Sequence, residues 1–178
     1  ISRGLVGSEM CIRDSPLIIN ELKGVPYLNQ IVIGLDKANE DQYVHALQFF
    51  SELPQHLRVL WNDGPRLKAI DKQLEKLDLA PKEYGKGRNV WYCMGYVLAT
   101  GRAESVALHD CDITTYNKEL LARLIYPVAN PQFNYEFCKG FYARVANGKI
   151  NGRVSRLLVS PLIQALKANL GQMDYLDY

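Results

Sequence analysis

The 178-residue sequence lacks the features that mark several classes of protein. No stretch approaches the roughly eighteen consecutive apolar residues of a membrane span, so we expect no membrane contact. No segment has the layout of a signal peptide, which makes the cytoplasm the expected location. The net charge of +2 is too small to indicate nucleic-acid binding. Membrane proteins, secreted proteins and nucleic-acid-binding proteins are therefore not favoured.

Cysteine is scarce and shows no functional spacing. The four cysteines are Cys11, Cys93, Cys111 and Cys138, without a CxxC pair or a zinc-ligand pattern. We therefore expect free thiols in a reducing compartment. The remaining composition, with 48% hydrophobic and 22% charged residues, is typical of a globular protein with a core of its own.

The first fifteen residues, ISRGLVGSEMCIRDS, differ from the rest of the chain. They show neither strand alternation nor a helical apolar stripe, and they resemble a translated sequencing-adapter peptide. We predict an artefactual or disordered leader over 1–15 that takes no part in the fold. A natural but disordered leader is the alternative. One domain is then predicted over 16–178.

Apolar runs separated by turn residues predict strands that alternate with helices. The predicted strands cover 30–36, 57–61 and 105–109, and 133–145 is expected to be strand-like. The predicted helices cover 16–27, 40–53, 66–79, 89–100, 117–126 and 153–170, the last interrupted at Pro161. Such alternation requires crossover connections, because successive strands then run in the same direction. The sequence thus predicts an α/β fold with a mostly parallel central sheet that is covered on both faces.

Polar side chains follow each of these three strands. They are Asp36, the pair Asn62 and Asp63, and Asp110 with Asp112. Open α/β sheets bind their ligands beyond the carboxyl ends of the strands. Three separate segments therefore indicate one edge of the sheet as the candidate site.

Asp110 and Asp112 are the candidate metal ligands. In extended backbone, residues i and i+2 face the same side about 6.5–7 Å apart, so both carboxylates can reach one ligand. Two carboxylates suit Mg²⁺ or Mn²⁺, which would act as a Lewis acid on a diphosphate leaving group. A solvated strand end is the alternative. His109, just before the pair, is expected to be a core or supporting histidine more than a ligand.

The chain is acid-free from Cys138 to Met173 but carries six basic residues there. They are Lys139, Arg144, Lys149, Arg153, Arg156 and Lys167. The segment NGKINGRVS (147–155) ends at a predicted helix start, where exposed backbone N–H groups favour an anion. Arg153 could hold a phosphate or a carboxylate with two parallel hydrogen bonds. A small polyanion is the favoured ligand; nucleic acid and a solvated basic surface are the alternatives.

Lys86 lies between Gly85 and Gly87 ahead of a predicted helix. The spacing is not that of a P-loop. A lysine at this position could still meet a diphosphate, and a simple flexible loop is the alternative.

Four segments together resemble the glucosyl-3-phosphoglycerate synthase family of retaining glycosyltransferases. They are GKGRNVW (85–91), HDCDI (109–113), CKGFYARV (138–145) and GRVSRLLVSPLIQAL (152–166). The resemblance implies a GT-A fold, which is Rossmann-like, truncated here at both ends. It also implies Mg²⁺-dependent transfer of glucose from UDP-glucose to 3-phosphoglycerate, with a product that leads to the compatible solute glucosylglycerate or to methylglucose polysaccharides.

The resemblance also assigns roles on the donor side. It makes Asp112 the metal ligand, with Asp110 as a contact for the metal and the sugar nucleotide. Asp36 becomes a contact for the uridine, and Lys86 a contact for the nucleotide or its phosphates. No residue is assigned as a nucleophile, so the family resemblance implies a front-face displacement.

On the acceptor side, Gly152, Arg153 and Ser155 would hold the phosphate and carboxylate of the acceptor. Ser155 stands where the family usually has threonine, which keeps the hydroxyl. The family's first strand looks replaced by 1–15, and its downstream histidine and asparagine lie beyond Tyr178, so we expect this chain alone to be inactive. Three alternatives remain: a related enzyme that uses GDP-mannose, one with another acceptor, or a non-catalytic module that binds anions or a protein. A homodimer is possible.

Overall fold

The computed structural model describes residues 3–8, 15–111, 113, 115–140, 145–146, 149–150 and 154–171. The chain divides into two compact units, Ile1–Cys138 and Lys139–Tyr178. The prediction of one domain over 16–178 stays a prediction.

The first unit contains a four-stranded sheet with the order β3-β2-β1-β4. Its strands are β1 (Arg3–Ser8), β2 (Gln30–Leu35), β3 (His56–Trp61) and β4 (Ser105–Asp110). Every neighbouring pair is parallel. Five helices accompany the strands: α1 (Ser15–Lys23), α2 (Glu40–Phe50), α3 (Pro65–Glu75), α4 (Lys86–Thr100) and α5 (Lys118–Ala129). The predicted α/β class with a mostly parallel sheet is confirmed.

The prediction that 1–15 takes no part in the fold is wrong for Arg3–Ser8. This segment forms β1, which lies between β2 and β4 and pairs with both, so that Val6 stands opposite Val32 and Leu108. The ladder hydrogen bonds of a strand use only backbone groups, which need partners once buried. A short extended run can therefore fill the centre of a sheet without an alternating pattern. The artefactual origin of the segment stays a prediction.

Apolar side chains cover both faces of the sheet, as crossover helices require. The larger cluster joins β2 to α1, α2 and α5 and includes Ile31, Ile33 and Leu121. The smaller cluster, on the other face, packs Val32 of β2 against Cys93 and Val97 of α4. β2 is buried on both sides, which explains its continuous run of β-branched residues.

Local sequence determines where several of these helices begin. The side chain of Asn39 accepts a hydrogen bond from the Gln42 N–H, and the Gln42 side chain accepts one from the Asn39 N–H, so α2 begins with a complete capping box. Asn117 is the N-cap of α5, and its side chain accepts a hydrogen bond from the Leu120 N–H. Gly85 precedes α4 without a side-chain cap, and its φ of 133° is one that other residues avoid.

The second unit is described only in part. It contains a short antiparallel pair, β5 (Val145–Ala146) with β6 (Lys149–Ile150), then a π-helix over Ser155–Val159 and α6 (Ser160–Leu170). Pro161 is the second residue of α6, which follows the π-helix directly, so it lies inside a continuous helical run over 154–170. Within the described ranges, no helix of either unit combines the length and the apolar character of a membrane span.

Candidate functional site

The carboxyl edge of the sheet brings together the polar residues that follow the strands. Asp36 comes directly after β2, Asn62 directly after β3, and Asp110 is the last residue of β4. The backbone N–H of Asn62 donates to the Leu35 carbonyl at 2.8 Å, which extends the pairing of β2 and β3 to their ends. The edge that the sequence indicates is therefore formed, and α4 begins beside it.

A buried arginine lies at the centre of this edge. Arg88, in the first turn of α4, is 4% exposed. Its Nη1 lies 2.9 Å from Asp36 Oδ1 and 3.6 Å from Asp63 Oδ1. Its Nη2 donates to Asp71 Oδ2 at 3.0 Å and to the Asn62 carbonyl at 3.4 Å. One guanidinium thus joins the ends of β2 and β3 to α3 and α4.

The surroundings of Arg88 keep it charged. Burial by itself lowers the pKa of the guanidinium, but the hydrogen bond to Asp71 and the charges of Asp36, Asp71 and Asp63 raise it above its ordinary value. The rings of Tyr84 and Tyr92 face the guanidinium at 4.3 and 5.6 Å from their centroids. Such contacts stabilise a buried cation further.

Two asparagines connect this cluster to the packing of α4 on β2. Asn62 Nδ2 donates to Asp36 Oδ1 at 3.1 Å and to Asn89 Oδ1 at 3.0 Å. Asn89 Nδ2 donates to the Gly34 carbonyl at 2.9 Å. All three side chains are almost fully buried. The network therefore fixes α4 against β2 through hydrogen bonds with little access to water.

Lys86 and Asp110, predicted from separate segments, form an ion pair. Their side chains are 57% and 36% exposed, so the pair is accessible from solvent, in contrast to Arg88. A lysine ammonium beside a carboxylate at a strand end offers a positive charge to an anion and carboxylate oxygen to a hard cation.

A cleft of about 560 Å³ opens beside Lys86. The loop before α4, together with the exposed rings of Tyr84 and Trp91, lines it. A volume of this order is within the range of small-molecule sites. The cleft therefore adds aromatic surface next to the Lys86–Asp110 pair.

His109 lies in the core, as expected, and its ring meets that of Tyr116 edge-on at 5.4 Å. Burial lowers the pKa of His109 to about 4, against a smaller opposing effect of the Asp110 charge. His109 is therefore neutral at pH 7. Its Nε2 is buried without a hydrogen-bond partner in the described part of the chain.

The predicted site residues fall into two groups. Asp36, Lys86 and Asp110 share one edge of the sheet, although Asp36 is buried and its Oδ1 is already engaged by Arg88 and Asn62. Its uridine contact stays a prediction. The others, Asp112, Gly152 and Arg153, lie outside the described residues, and Ser155 begins the π-helix of the second unit. Among the described residues, no three His, Cys, Asp or Glu side chains gather as a metal site.

Arg88 and Asp71 are absent from the residues that the sequence predicts for this edge. A signal for Arg88 exists in the sequence. Asp36 and Asp63 both follow strands that pack against helices, and such acids need a nearby cation. Arg88 directly precedes the predicted helix over 89–100, but Arg66 and Lys86 also lie at helix starts, so sequence spacing alone does not show which basic side chain turns inward.

Two curated proteins match most of the chain, and both are named glucosyl-3-phosphoglycerate synthase. The protein from Persephonella marina is 45% identical over 163 residues, which is 92% of this chain and 40% of that protein. The protein from Methanococcoides burtonii is 39% identical over 173 residues, which is 94% of this chain and 42% of that protein. The chain is a homologue of glucosyl-3-phosphoglycerate synthases. It spans about two fifths of the length of these two relatives.

No protein-family model matches the chain. The fold is similar to a crystal structure described as that of a mycobacterial protein, with a TM-score of 0.56 and 18% sequence identity. The match covers 96% of this chain and 49% of the mycobacterial chain. At this identity the likeness concerns the fold alone. The likeness agrees with the α/β architecture expected from the sequence.

Proposed function

We propose that the chain is the donor-binding part of a glycosyltransferase that moves glucose from UDP-glucose to 3-phosphoglycerate. The pairing of Lys86 with Asp110 at the carboxyl edge of the sheet, beside a cleft, carries this proposal. The names of the two synthase relatives support it. The same edge holds the nucleotide in Rossmann-like sheets generally.

Lys86 binds the diphosphate of the donor in this proposal. Its ammonium is already at the mouth of the cleft, and a diphosphate carries more negative charge than the single carboxylate of Asp110. Lys86 therefore exchanges part of its contact with Asp110 for the phosphate oxygens when the donor binds. Tyr84 and Trp91 offer aromatic faces to the flat uracil ring.

Asp110 is half-buried at a strand end and provides carboxylate oxygen, so its chemistry fits a hard divalent cation. Asp110 and Asp112 would hold Mg²⁺ or Mn²⁺, and the bound cation would neutralise part of the diphosphate charge. Gly152, Arg153 and Ser155 would hold the phosphate and carboxylate of the acceptor. They would orient its hydroxyl toward the anomeric carbon on the face from which the diphosphate leaves. The bond from this carbon to the acceptor oxygen would form as the bond to the diphosphate breaks, and the diphosphate would take the proton.

Calorimetric titration of this chain with UDP-glucose in the presence of Mg²⁺ tests donor binding. We expect Lys86→Ala to weaken binding about 10–100-fold, because hydrogen bonds between charged groups contribute about 1.5–3 kcal/mol. Lys72→Ala is the matched control, since Lys72 is an exposed lysine of α3 that does not line the cleft. Equal affinities for both variants, or tighter binding of GDP-mannose than of UDP-glucose, would contradict the donor assignment.

Because the chain spans about two fifths of its two curated relatives, we test turnover in a longer protein. A chimaera in which this chain replaces the matching 40% of the Persephonella marina synthase can be assayed for UDP release with 3-phosphoglycerate. We expect Mg²⁺-dependent release that EDTA abolishes, and an α-anomeric product signal by NMR. A folded chimaera that releases UDP with another acceptor but not with 3-phosphoglycerate would contradict the acceptor assignment.

A further inference from the structure

We propose that Arg88 is a positioning residue that holds the first turn of α4, so that Lys86 reaches the diphosphate of the donor. The inference rests on the proposed function, because it concerns the same site. It assigns Arg88 no contact with the ligand.

The hydrogen bonds of Arg88 leave its guanidinium little to offer a ligand. Four protein oxygens surround Nη1 and Nη2: carboxylate oxygens of Asp36, Asp63 and Asp71 and the carbonyl of Asn62. The side chain is 3% exposed. A ligand would have to displace protein carboxylates to reach it, whereas the Lys86 side chain is 57% exposed.

The first turn of α4 has few other constraints. Gly85 and Gly87 flank Lys86, and a Cβ added at either would meet nothing within 4 Å, so side-chain packing at these positions does not fix the backbone. The helix also lacks a side-chain N-cap. Glycine flanks permit many backbone conformations, and an uncapped first turn frays more readily.

Arg88 supplies the missing constraint. It lies two residues after Lys86, and its guanidinium links the first turn of α4 to Asp36 after β2 and to Asp71 on α3. The stacked Tyr84 ring, 4.3 Å away, holds the loop that precedes the helix. Positions i and i+2 of a helix point in nearly opposite directions. Both residues border the cleft, but the Arg88 side chain is buried whereas that of Lys86 is exposed. The buried cluster therefore sets the place from which Lys86 extends.

Two conservative substitutions test this role. Arg88→Lys keeps the charge but loses the planar fork, so one ammonium replaces the two nitrogens that bind Asp36 and Asp71 separately. Asp71→Asn removes the negative charge of one partner of Arg88 with almost no change of shape, which weakens that hydrogen bond. Each is made alone and in the Lys86→Ala background, and binding of UDP-glucose is measured by calorimetry. Arg123→Lys is the control, since Arg123 is an exposed arginine of α5 paired only to Glu119 in the contacts described.

When Lys86 is present, we expect Arg88→Lys to raise the Kd for UDP-glucose about tenfold and Asp71→Asn to raise it about threefold. Effects of this size are typical of the coupling between neighbouring residues. In the Lys86→Ala background we expect both changes to shift Kd less than twofold, because the group they position is gone. Circular dichroism and thermal unfolding identify a variant that does not fold. If Arg88→Lys fails to fold, the Asp71→Asn variant alone tests the proposal.

The double-mutant cycle separates positioning from general structural support. Equal factors in the two backgrounds would overturn the proposal, as would the absence of any effect from both substitutions. Failure of the wild-type chain and of the chimaera to bind UDP-glucose would instead contradict the proposed function. In that case the position of Lys86 can still be tested by NMR, because Arg88→Lys should shift the ¹⁵N resonance of the Lys86 ammonium and Arg123→Lys should not.

Discussion

Replacing Gly34 by alanine tests whether α4 packs on the sheet as closely as described. Gly34 lies in β2, and a Cβ added there would stand 2.0 Å from Asn89 Oδ1 and 2.7 Å from Cys93 Sγ. Both side chains are fully buried. Non-bonded atoms do not approach this closely, so α4 or the Asn89 side chain must move.

The magnitude follows from what Asn89 would lose. Inserting a methyl group into a packed interior costs about 1–3 kcal/mol. If Asn89 rotates away, its hydrogen bonds to the Gly34 carbonyl and to Asn62 break, and leaving buried polar groups unpaired costs about 1–3 kcal/mol more. We therefore expect Gly34→Ala to lower the free energy of unfolding by about 2–6 kcal/mol.

Urea unfolding followed by far-UV circular dichroism measures this change. With a urea dependence of about 2 kcal/mol per molar, the midpoint should fall by about 1–3 M. Gly95→Ala is the matched control, because Gly95 lies on the exposed side of α4 with nothing within 4 Å of an added Cβ. It should raise stability by up to about 1 kcal/mol through helix propensity. A Gly34→Ala midpoint equal to that of the wild type would refute close packing of α4 on β2.

Two further predictions concern titratable groups. The pKa of His109 is about 4 in the folded chain, below its ordinary value near 6.5, so the unfolded state binds more protons between these values. The contribution of neutral His109 to the free energy of unfolding should therefore be fully present above pH 6.5. The free energy of unfolding should fall by about 2 kcal/mol as the pH is lowered to 5, measured by urea unfolding in EDTA. His109→Gln should lack this part of the pH dependence, and an equal slope in both proteins would contradict the buried neutral imidazole. Burial, with a smaller effect of Cys111, raises the pKa of Cys93 to about 12, so iodoacetamide at pH 8 should modify the partly exposed Cys138 and spare Cys93 until urea is added. Mass spectrometry after brief labelling checks this, and rapid modification of Cys93 in the folded chain would contradict it.

The strands that pack between helices could be predicted from the sequence almost to the residue. The expected strands at 30–36, 57–61 and 105–109 correspond to Gln30–Leu35, His56–Trp61 and Ser105–Asp110. Their burial enforces continuous apolar and β-branched runs, and turn residues end each of them. Such segments carry their structural signal in their own side chains.

Helix ends and β1 were harder to predict, because other parts of the chain determine them. The strand expected over 133–145 is wrong for 133–140, where the structure has turns and irregular backbone. α4 begins at Lys86, three residues before the expected start, between glycines that give no helical signal. α5 continues through Pro127 to Ala129, although the proline predicts an end at Tyr126. β1 depends on backbone pairing with β2 and β4, which leaves no alternating pattern to find.

The candidate site was predictable in its location and only partly in its organisation. Topology alone places Asp36 and Asp110 at one edge, since the carboxyl ends of parallel strands meet there. The Lys86–Asp110 pair follows from that placement together with the start of α4. The inward direction of Arg88 does not follow, because it depends on three carboxylates from separate elements that only the folded chain brings together.

The energetics of the buried cluster around Arg88 indicate that it positions the first turn of α4 more than it stabilises the fold. Desolvating a guanidinium and a carboxylate offsets most of their attraction, and well-packed apolar residues often serve stability as well or better. Arg88 and Asp36 are both at least 96% buried, yet they lie where the loops after β2 and β3 meet the first turn of α4. An apolar pair there could fill the same volume but could not fix three backbone segments by directed hydrogen bonds. Lys86, on the same turn, remains exposed, as the proposed exchange of its carboxylate partner for a phosphate requires.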